Sequence, residues 1–338
     1  MSLTYSVILC AHNPRPDYLG RVFEALKAQT LPREQWELLL VDNVSKPPLA
    51  GAWDLSWQPN ARHIVESELG LTPARLRGIK ESRGSLLIFI DDDNVLAPDF
   101  LEQAAAIAAR WPQLGAFGAG KLEPEFEIQP AAELQPRLSM LALRTVPVAM
   151  WSNNPKDASS YPWGAGLCAT RPTAEEFVRL IERLNIHKVL GRRGTQLFCG
   201  EDDLFSWAAV SAGYGFGIFP ELQVKHLISA GRLSRSYFLR LIQGQQFSQA
   251  VIAYLMAGVP QSPSISLTHR SRILLHGLRH GTFAMQFEFA SARGRRDAAR
   301  FITEHKLRPL AEDLNGFASP HEQGQPKTAA RNVCAHES

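Results

Sequence analysis

One stretch constrains the fold of this chain more than any other: an apolar run that ends in three consecutive aspartates. Ser85 to Ile90 has the length and composition of a fully buried strand, and Asp91, Asp92 and Asp93 follow it directly. Adjacent carboxylates repel one another, so this arrangement favours a divalent cation or a hydrogen-bonded ligand that offsets their charge. Carboxylate oxygens suit Mg2+ or Mn2+. The alternative is a solvated acidic turn with helix-capping aspartates.

Repeated alternation of strands and helices predicts the fold class. Strands are expected at 6–10, 36–41 and 63–65, and helices from 18 to about 29 and at 73–82. This order predicts an α/β fold with a mostly parallel sheet and helices on both faces. Such sheets bind ligands beyond the carboxyl ends of their strands, where Asn13, Asp42 and the three aspartates are all expected.

The rest of the chain divides into a second sheet region and a helical part. We expect a helix at 100–111, a short strand at 114–118, loops at 124–160 and a helix at 171–190. Long basic helical patterns begin near Ser229, and the chain from Ala318 has a disordered composition. We therefore predict a catalytic domain at 1–228, a helical extension at 229–317 and a disordered tail at 318–338.

Composition indicates the cellular compartment of the protein and excludes some classes of binding partner. The chain has 338 residues, an ordinary apolar content of 45% and a formal net charge of only +3, which argues against a nucleic-acid binder. Its four cysteines lack metal-binding or disulfide spacing, no secretory signal is apparent, and no apolar run is long enough for a membrane span. We expect a cytoplasmic protein, with peripheral membrane association left open.

A second acidic cluster, Glu201 to Asp203, precedes a helical pattern. It either complements the helix dipole or supplies a general base beside an acceptor hydroxyl, and for the second role Asp202 is our candidate. His226 ends a predicted strand and is either a packed core histidine or a nitrogen ligand to the same cation. Trp163 is either a core residue or a platform for a sugar ring.

Taken in order from residue 5 to residue 250, these motifs resemble those of the inverting family 2 glycosyltransferases, which have the GT-A fold. The turn after the first strand, with Asn13 and Arg15, resembles the start of the family's donor site. By this resemblance Asp42 binds the nucleobase, commonly uracil. The segment ending in Arg75 resembles the family's donor-binding Ala-Arg-Asn, although Leu76 stands where the asparagine is expected.

The remaining motifs of the family match the acidic clusters and a glycine-rich segment. The resemblance assigns Asp91 and Asp92 to the donor and Asp93 to a metal-bound diphosphate, with His226 as a second ligand for Mn2+ or Mg2+. It also assigns Asp202 as the catalytic base. The residues that it places beside the acceptor are Trp163, Gly164, Gly166 and Glu201.

The resemblance implies a hexosyltransferase-type enzyme of polysaccharide biosynthesis. Its donor is a nucleotide sugar, with a UDP-sugar favoured, and its acceptor is a saccharide or lipid-linked saccharide. The arginines near 232 and 235 resemble the basic loop that covers the diphosphate. One displacement at the anomeric carbon inverts its configuration.

Three other interpretations are consistent with parts of the sequence. A catalytically degenerate protein that binds nucleotide sugars or glycans would keep the same carboxylates. A phosphate-binding loop at Gly115 to Lys121 fits the spacing but lacks the hydroxyl at Leu122. The basic helical C-terminal part is either a solvated helix face or a surface that lies on an anionic membrane.

Overall fold

The computed structural model describes residues 4–186, 191–192, 194, 197–262 and 266–310, so the predicted tail lies outside the described residues. The strands are β1 (Tyr5–Ala11), β2 (Trp36–Asn43), β3 (Ala61–Glu66), β4 (Leu86–Asp91), β5 (Asn94–Leu96), β6 (Leu114–Phe126), β7 (Arg144–Thr145), β8 (Met150–Ser152), β9 (Leu167–Thr170) and β10 (Gly215–Ile228). The α-helices are α1 (Pro16–Lys27), α2 (Leu71–Glu81), α3 (Phe100–Arg110), α4 (Arg171–Leu184), α5 (Asp203–Ser211), α6 (Arg235–Ala257), α7 (Leu267–His280) and α8 (Thr282–Glu304).

The described strands form a single mixed sheet that confirms the predicted α/β class. Its order is β3-β2-β1-β4-β9-β6-β10-β5, with β7 beside β6 and β8 beside β10. Strands β3, β2, β1 and β4 are mutually parallel, as are β6 and β10, while β9 lies antiparallel between the two groups. The register places Cys10 of β1 beside Asp91 of β4, so the acidic triplet begins where β1 and β4 end.

Both faces of the sheet are covered, as predicted. Alternate residues of β1 enter two different apolar clusters: Val7 and Leu9 pack on the side of α1 and α3, and Ile8 packs on the opposite side. Helix α1 begins at Pro16 and buries Leu19, Val22, Phe23 and Leu26 at helical spacing. Strand β2 is buried along all eight residues, which explains its continuous apolar run.

Two elements differ most clearly from their predicted bounds. Strand β6 continues to Phe126 because β10 pairs with it along most of its length. Gly115 to Lys121 is extended strand and not a phosphate-binding loop, in agreement with the missing hydroxyl at Leu122. Helix α4 ends at Leu184, where Asn185 adopts a left-handed conformation with φ 51°; the rest of that predicted helix, 187–190, lies outside the described residues.

The C-terminal helices pack onto the same core as the sheet. Val251 of α6 and Ile302 of α8 belong to the apolar cluster that also contains Ile8 and Leu39. Among the described helices, none has the length and apolarity that crossing a membrane requires. The domain boundary at residue 228 stays a prediction.

Candidate functional site

A cavity of about 590 Å3 lies at the carboxyl ends of β1 and β4. Both acidic clusters line it: Asp91 to Asp93 from the turn after β4, and Glu201 to Asp203 from the start of α5. The clusters are remote in sequence. They come together because α5 packs on the sheet, with Phe205 of α5 against Phe89 of β4. The predicted meeting of Asp93 and Asp202 at one cavity is therefore observed.

Asn94 holds the acidic turn in shape. This fully buried residue accepts a hydrogen bond from the Asp91 N–H (3.2 Å) and donates one to Asp93 Oδ1 (2.8 Å). It stands opposite His226 in the β5–β10 pairing, and the Leu227 N–H donates to the Asp93 carbonyl. The sequence showed Asn94 directly after the triplet, but its supporting role depends on β10, which is far along the chain.

Asp93 and His226 form a three-residue contact with Arg232. His226 Nε2 lies 3.3 Å from Asp93 Oδ2, and Arg232 Nη1 lies 2.7 Å from the same oxygen and 3.1 Å from His226 Nε2. Burial disfavours the charged carboxylate, but His226 and Arg232 outweigh it and hold the pKa of Asp93 below its ordinary value. For Asp92, burial and the charges of Asp93 and Asp91 raise the pKa instead.

Arg75 connects the two acidic clusters. Its side chain is 2% exposed and lies between Asp91 Oδ1, 3.5 Å from Nη2, and Glu201 Oε1, 3.2 Å from Nη1. Burial raises the pKa of Glu201 to about 7, the charge of Asp202 adds to this rise, and Arg75 opposes it. Arg75, the arginine predicted for the donor site, is thus a buried guanidinium that contacts carboxylates of both acidic clusters.

Gly164 fits between Arg75 and Asp202. Its N–H donates to Asp202 Oδ2 (3.0 Å), and a Cβ added at this position would lie 2.5 Å from Arg75 Nη2. The other oxygen of Asp202 accepts the Asp203 N–H (3.2 Å), so this carboxylate caps α5 and also lines the cavity. Capping of α5 therefore does not remove Asp202 from the cavity. Gly166 packs against the Phe100 ring, outside the cavity lining.

The other end of the cavity is built from parts of the chain that carried no recognised motif. Helix α6 contributes Leu241, Gln245 and Gln249, and the short 3₁₀ helix Ala132–Leu141 contributes Ser139 and Met140. These positions follow ordinary helical patterns, so only the packing of α6 against the sheet could identify them.

Trp163 also lines the cavity, and an arginine lies over one face of its ring. The Arg144 guanidinium carbon lies 3.4 Å from the centroid of the Trp163 ring. Arg144 donates from Nη1 to the Tyr161 carbonyl, while its Nε and Nη2 are buried without a hydrogen-bond partner. Burial lowers the pKa of Arg144 to about 10, which Asp202 and Asp203 oppose. Arg144 therefore belongs to the electrostatic environment of Asp202, a role that the sequence did not reveal.

Three predicted donor residues lie outside the cavity lining. Asn13 is exposed, and Arg15 pairs with Asp17 and Glu127 on the surface. Asp42 is buried, and its oxygens accept the backbone N–H groups of the loop after β2, from Ser45 (3.0 Å) and Leu49 (2.8 Å).

The neighbours of these residues line the cavity instead. They are His12, whose Nδ1 lies 2.6 Å from the Asn43 carbonyl, and Asn43 itself. Arg192, on the loop after α4, also lines the cavity and was not predicted. At the end of β2 the change from Asp42 to Asn43 follows from strand geometry, because successive side chains point to opposite faces.

Comparisons with known proteins bear on the N-terminal part of the chain. Residues 6–123 match the sequence profile of a family described as Glycosyl transferase family 2. An uncharacterized curated protein of Sinorhizobium fredii, y4gI, is 30% identical over 100 residues, which are 28% of this chain and only 11% of that protein.

Two solved structures match most of this chain at low identity. S. aureus TarS 1-349 is 13% identical with a TM-score of 0.48, over 90% of this chain and 91% of that chain. Mannosyltransferase PcManGT from Pyrobaculum calidifontis, in complex with GDP-Man and Mn2+, is 16% identical with a TM-score of 0.49, over 94% and 80%. The profile match agrees with the predicted family over residues 6–123, which carry β1 to β5 and the acidic triplet.

Proposed function

We propose that this chain is an inverting glycosyltransferase that moves a sugar from a nucleotide-diphosphate donor to a hydroxyl of a saccharide or lipid-linked acceptor. The observation that carries the proposal is the single cavity lined by both Asp93 and Asp202. In a direct displacement, the leaving diphosphate and the attacking hydroxyl meet at the same anomeric carbon, so the groups that bind them must share one cavity.

The donor diphosphate fits the end of the cavity near β1 and β4. Arg232 supports this assignment because its Nε and Nη2 are buried without a partner, and a guanidinium with free donors suits phosphate oxygens. His12 and Asn43 line the wall where the resemblance places the nucleobase. Direct donor roles for Asn13, Arg15 and Asp42 stay predictions, and the hydrogen bonds of Asp42 suit a residue that shapes the loop beside the base.

Asp93 and His226 suit a divalent cation whose remaining ligands would come from the substrate and water. Within the described residues, no group of three or more His, Cys, Asp or Glu side chains is arranged to hold a metal by itself. Asp93 and His226 would hold Mn2+ or Mg2+ as two protein ligands, and diphosphate oxygens and water would complete the coordination, as is common for Mg2+. When bound, such a cation neutralises charge on the leaving diphosphate.

Asp202 supplies the base in this proposal. It accepts the proton of the acceptor hydroxyl while the oxygen forms its bond to the anomeric carbon and the bond to the diphosphate breaks. The Gly164 and Asp203 N–H groups orient its carboxylate. Asp203 is the weaker candidate, because burial and the charges of Asp202 and Glu201 raise its pKa and keep it protonated at higher pH.

A neutral saccharide suits the acceptor end. Trp163 offers an aromatic face, and Gln245, Gln249 and Ser139 offer amide and hydroxyl groups. Peripheral membrane association, a cytoplasmic location and separate roles for residues 1–228 and 229–317 are further parts of the proposal that do not depend on the transfer step.

The decisive experiment screens nucleotide sugars, beginning with UDP-sugars and GDP-mannose, with Mn2+ present. We expect one donor to raise the melting temperature and to be slowly hydrolysed. Asp202→Asn should abolish hydrolysis and transfer but keep donor binding, while Asp203→Asn keeps a measurable rate. Full activity of folded Asp202→Asn would refute the assigned base. Donor binding without any turnover by the wild type, across a panel of acceptors, would favour the degenerate binding protein instead.

A further inference from the structure

Helix α7 exposes its larger apolar side to solvent. Leu274, Leu275 and Leu278 are 52%, 60% and 84% exposed, whereas Ile273 is 3% exposed. At about 100° per residue, the three leucines fall within an arc of about 100°. They form a continuous stripe, which we call the leucine face of α7. Single exposed leucines need no explanation, but three on one face of a short helix do.

The leucine face points away from the protein because α7 packs on α8 through its other side. Ile273 is buried, and Gly277 approaches α8 so closely that an added Cβ would lie 2.6 Å from Met285 Cβ. The side of α7 that carries Ile273 and Gly277 therefore attaches it to α8. Removing the leucine side chains would leave this attachment intact.

Arginines flank the leucine face on both sides. Arg270 and Arg279 are exposed and lie about 90° to either side of the centre of the stripe. Arg272, also exposed, lies next to Arg279 around the helix. The sequence of α7 contains no Asp or Glu.

The arginines beside the leucine face indicate which kind of partner binds it. In a symmetric dimer the same surface meets itself, so arginines would face arginines with no carboxylate of α7 between them. An anionic bilayer matches both features, since leucines enter the boundary of headgroups and acyl chains while arginines contact lipid phosphates.

We propose that α7 docks the protein on an anionic membrane surface, lying in the interface plane with Leu274, Leu275 and Leu278 inserted and Arg270, Arg272 and Arg279 at the headgroups. This docking is independent of sugar transfer. It holds the catalytic part beside the bilayer through the packing of α7 on α8 and of α8 on α6.

The test measures co-sedimentation of the full chain with vesicles, without donor or acceptor. Vesicles of phosphatidylcholine with about one third phosphatidylglycerol should bind the wild type, and pure phosphatidylcholine should bind it at least about tenfold more weakly. Replacing Leu274, Leu275 and Leu278 by Gln should lower binding to the anionic vesicles at least about tenfold. The matched control replaces Val65 and Val148, which are 61% and 54% exposed elsewhere, by Gln and should bind as the wild type does.

A second arm tests the charges and does not depend on how the leucine variant folds. Arg270→Gln combined with Arg279→Gln should reduce binding severalfold, and about 0.5 M salt should reduce wild-type binding similarly, because the attraction is screened. Arg83→Gln with Arg110→Gln, exposed arginines on other elements, is the control.

Four outcomes would overturn the proposal. They are equal binding to neutral and anionic vesicles, unchanged binding of both α7 variants, no binding of the wild type, and a wild-type dimer in solution that the leucine substitutions make monomeric. Light scattering after gel filtration detects the last of these. Because no turnover is measured, failure of the glycosyltransferase proposal leaves these readouts unchanged.

Discussion

Arg232 Nη1 lies 2.7 Å from Asp93 Oδ2 and 3.1 Å from His226 Nε2, in contact with both proposed ligands of the divalent cation. Two positive charges cannot share this carboxylate oxygen at close range without strong repulsion. A cation bound by Asp93 would therefore compete with Arg232, and we expect its binding to displace the Arg232 side chain.

Arg232→Gln is accordingly expected to bind Mn2+ more tightly than the wild type when no nucleotide is present, by about tenfold or more. Titration of free Mn2+ by electron paramagnetic resonance measures this directly. Arg235→Gln is the control, because Arg235 pairs with Glu133 (2.5 Å) away from Asp93. Equal or weaker Mn2+ binding by Arg232→Gln would contradict the competition.

Gly164→Ala should damage the site although it adds only a methyl group. The new Cβ would lie 2.5 Å from Arg75 Nη2, and the buried Arg75 must shift away from Asp91 or Glu201 to make room. We expect a loss of about 1–3 kcal/mol in the free energy of unfolding, and at least about a tenfold loss of transfer activity.

The control for this substitution is Gly20→Ala in α1, where an added Cβ would meet only ordinary contacts at 3.9 Å or more. It should be neutral or slightly stabilising, because alanine favours a helix. Equal denaturation midpoints for Gly164→Ala and Gly20→Ala would contradict the prediction, because they would show that the Arg75 side chain can move aside without loss of stability.

Glu201 should make stability depend on pH. Burial raises its pKa from 4.5 to about 7 in the folded state, so its protonated form is favoured there. Its stabilising contribution is therefore fully present below pH 4.5 and is lost as the pH rises through about 7. Relative to Glu201→Gln, which cannot ionise, the wild type should lose up to about 3 kcal/mol over this range.

Urea unfolding of both proteins at several pH values measures this difference. The groups that surround Glu201 are Arg75, Asp202 and Asp91, and all of them remain in the variant. A difference that stays constant, or that favours the wild type as pH rises, would mean that the ion pair with Arg75 outweighs burial.

The buried thiols should resist alkylation. Burial raises the pKa of Cys10 to about 12, opposed by Arg75, and burial also raises the pKa of Cys168. The thiolate is the reactive form, so at pH 8 both should react at least about a hundredfold more slowly in the native protein than in urea. Peptide mass spectrometry after timed labelling gives both rates, and fast native labelling of Cys10 would contradict its burial.

The sequence predicted most where local pattern and tertiary environment agree. The buried runs of β1, β2 and β4 were identifiable because strands covered on both faces are apolar throughout. The acidic clusters were found for the complementary reason, since consecutive carboxylates at the end of such a strand need a compensating partner. The order of these motifs from residue 5 to residue 250 gave the resemblance to family 2 glycosyltransferases, and the profile match at 6–123 agrees with it.

Prediction was weaker where long-range pairing decides the structure. The extent of β6 depends on β10, and its glycines gave little strand signal. The resemblance assigns Asn13, Arg15 and Asp42 to the donor site, but their side chains are engaged elsewhere. Asn13 accepts the Lys46 N–H, Arg15 forms a surface ion pair, and Asp42 accepts N–H groups of its own loop. For Asp42 the reason is strand geometry, because the next residue of β2, Asn43, points to the opposite face and lines the cavity.

By itself, the sequence determined the α/β class, the acidic residues that line the cavity and the resemblance of the N-terminal part to a known family. Only the tertiary structure decided that Arg75 joins the two acidic clusters, that Gly164 must lack a side chain and that Arg232 contacts Asp93. The spacing and number of apolar residues indicate which side of each segment is buried. The distances between charged groups from remote segments depend on how the sheet and helices pack, and no local pattern encodes them.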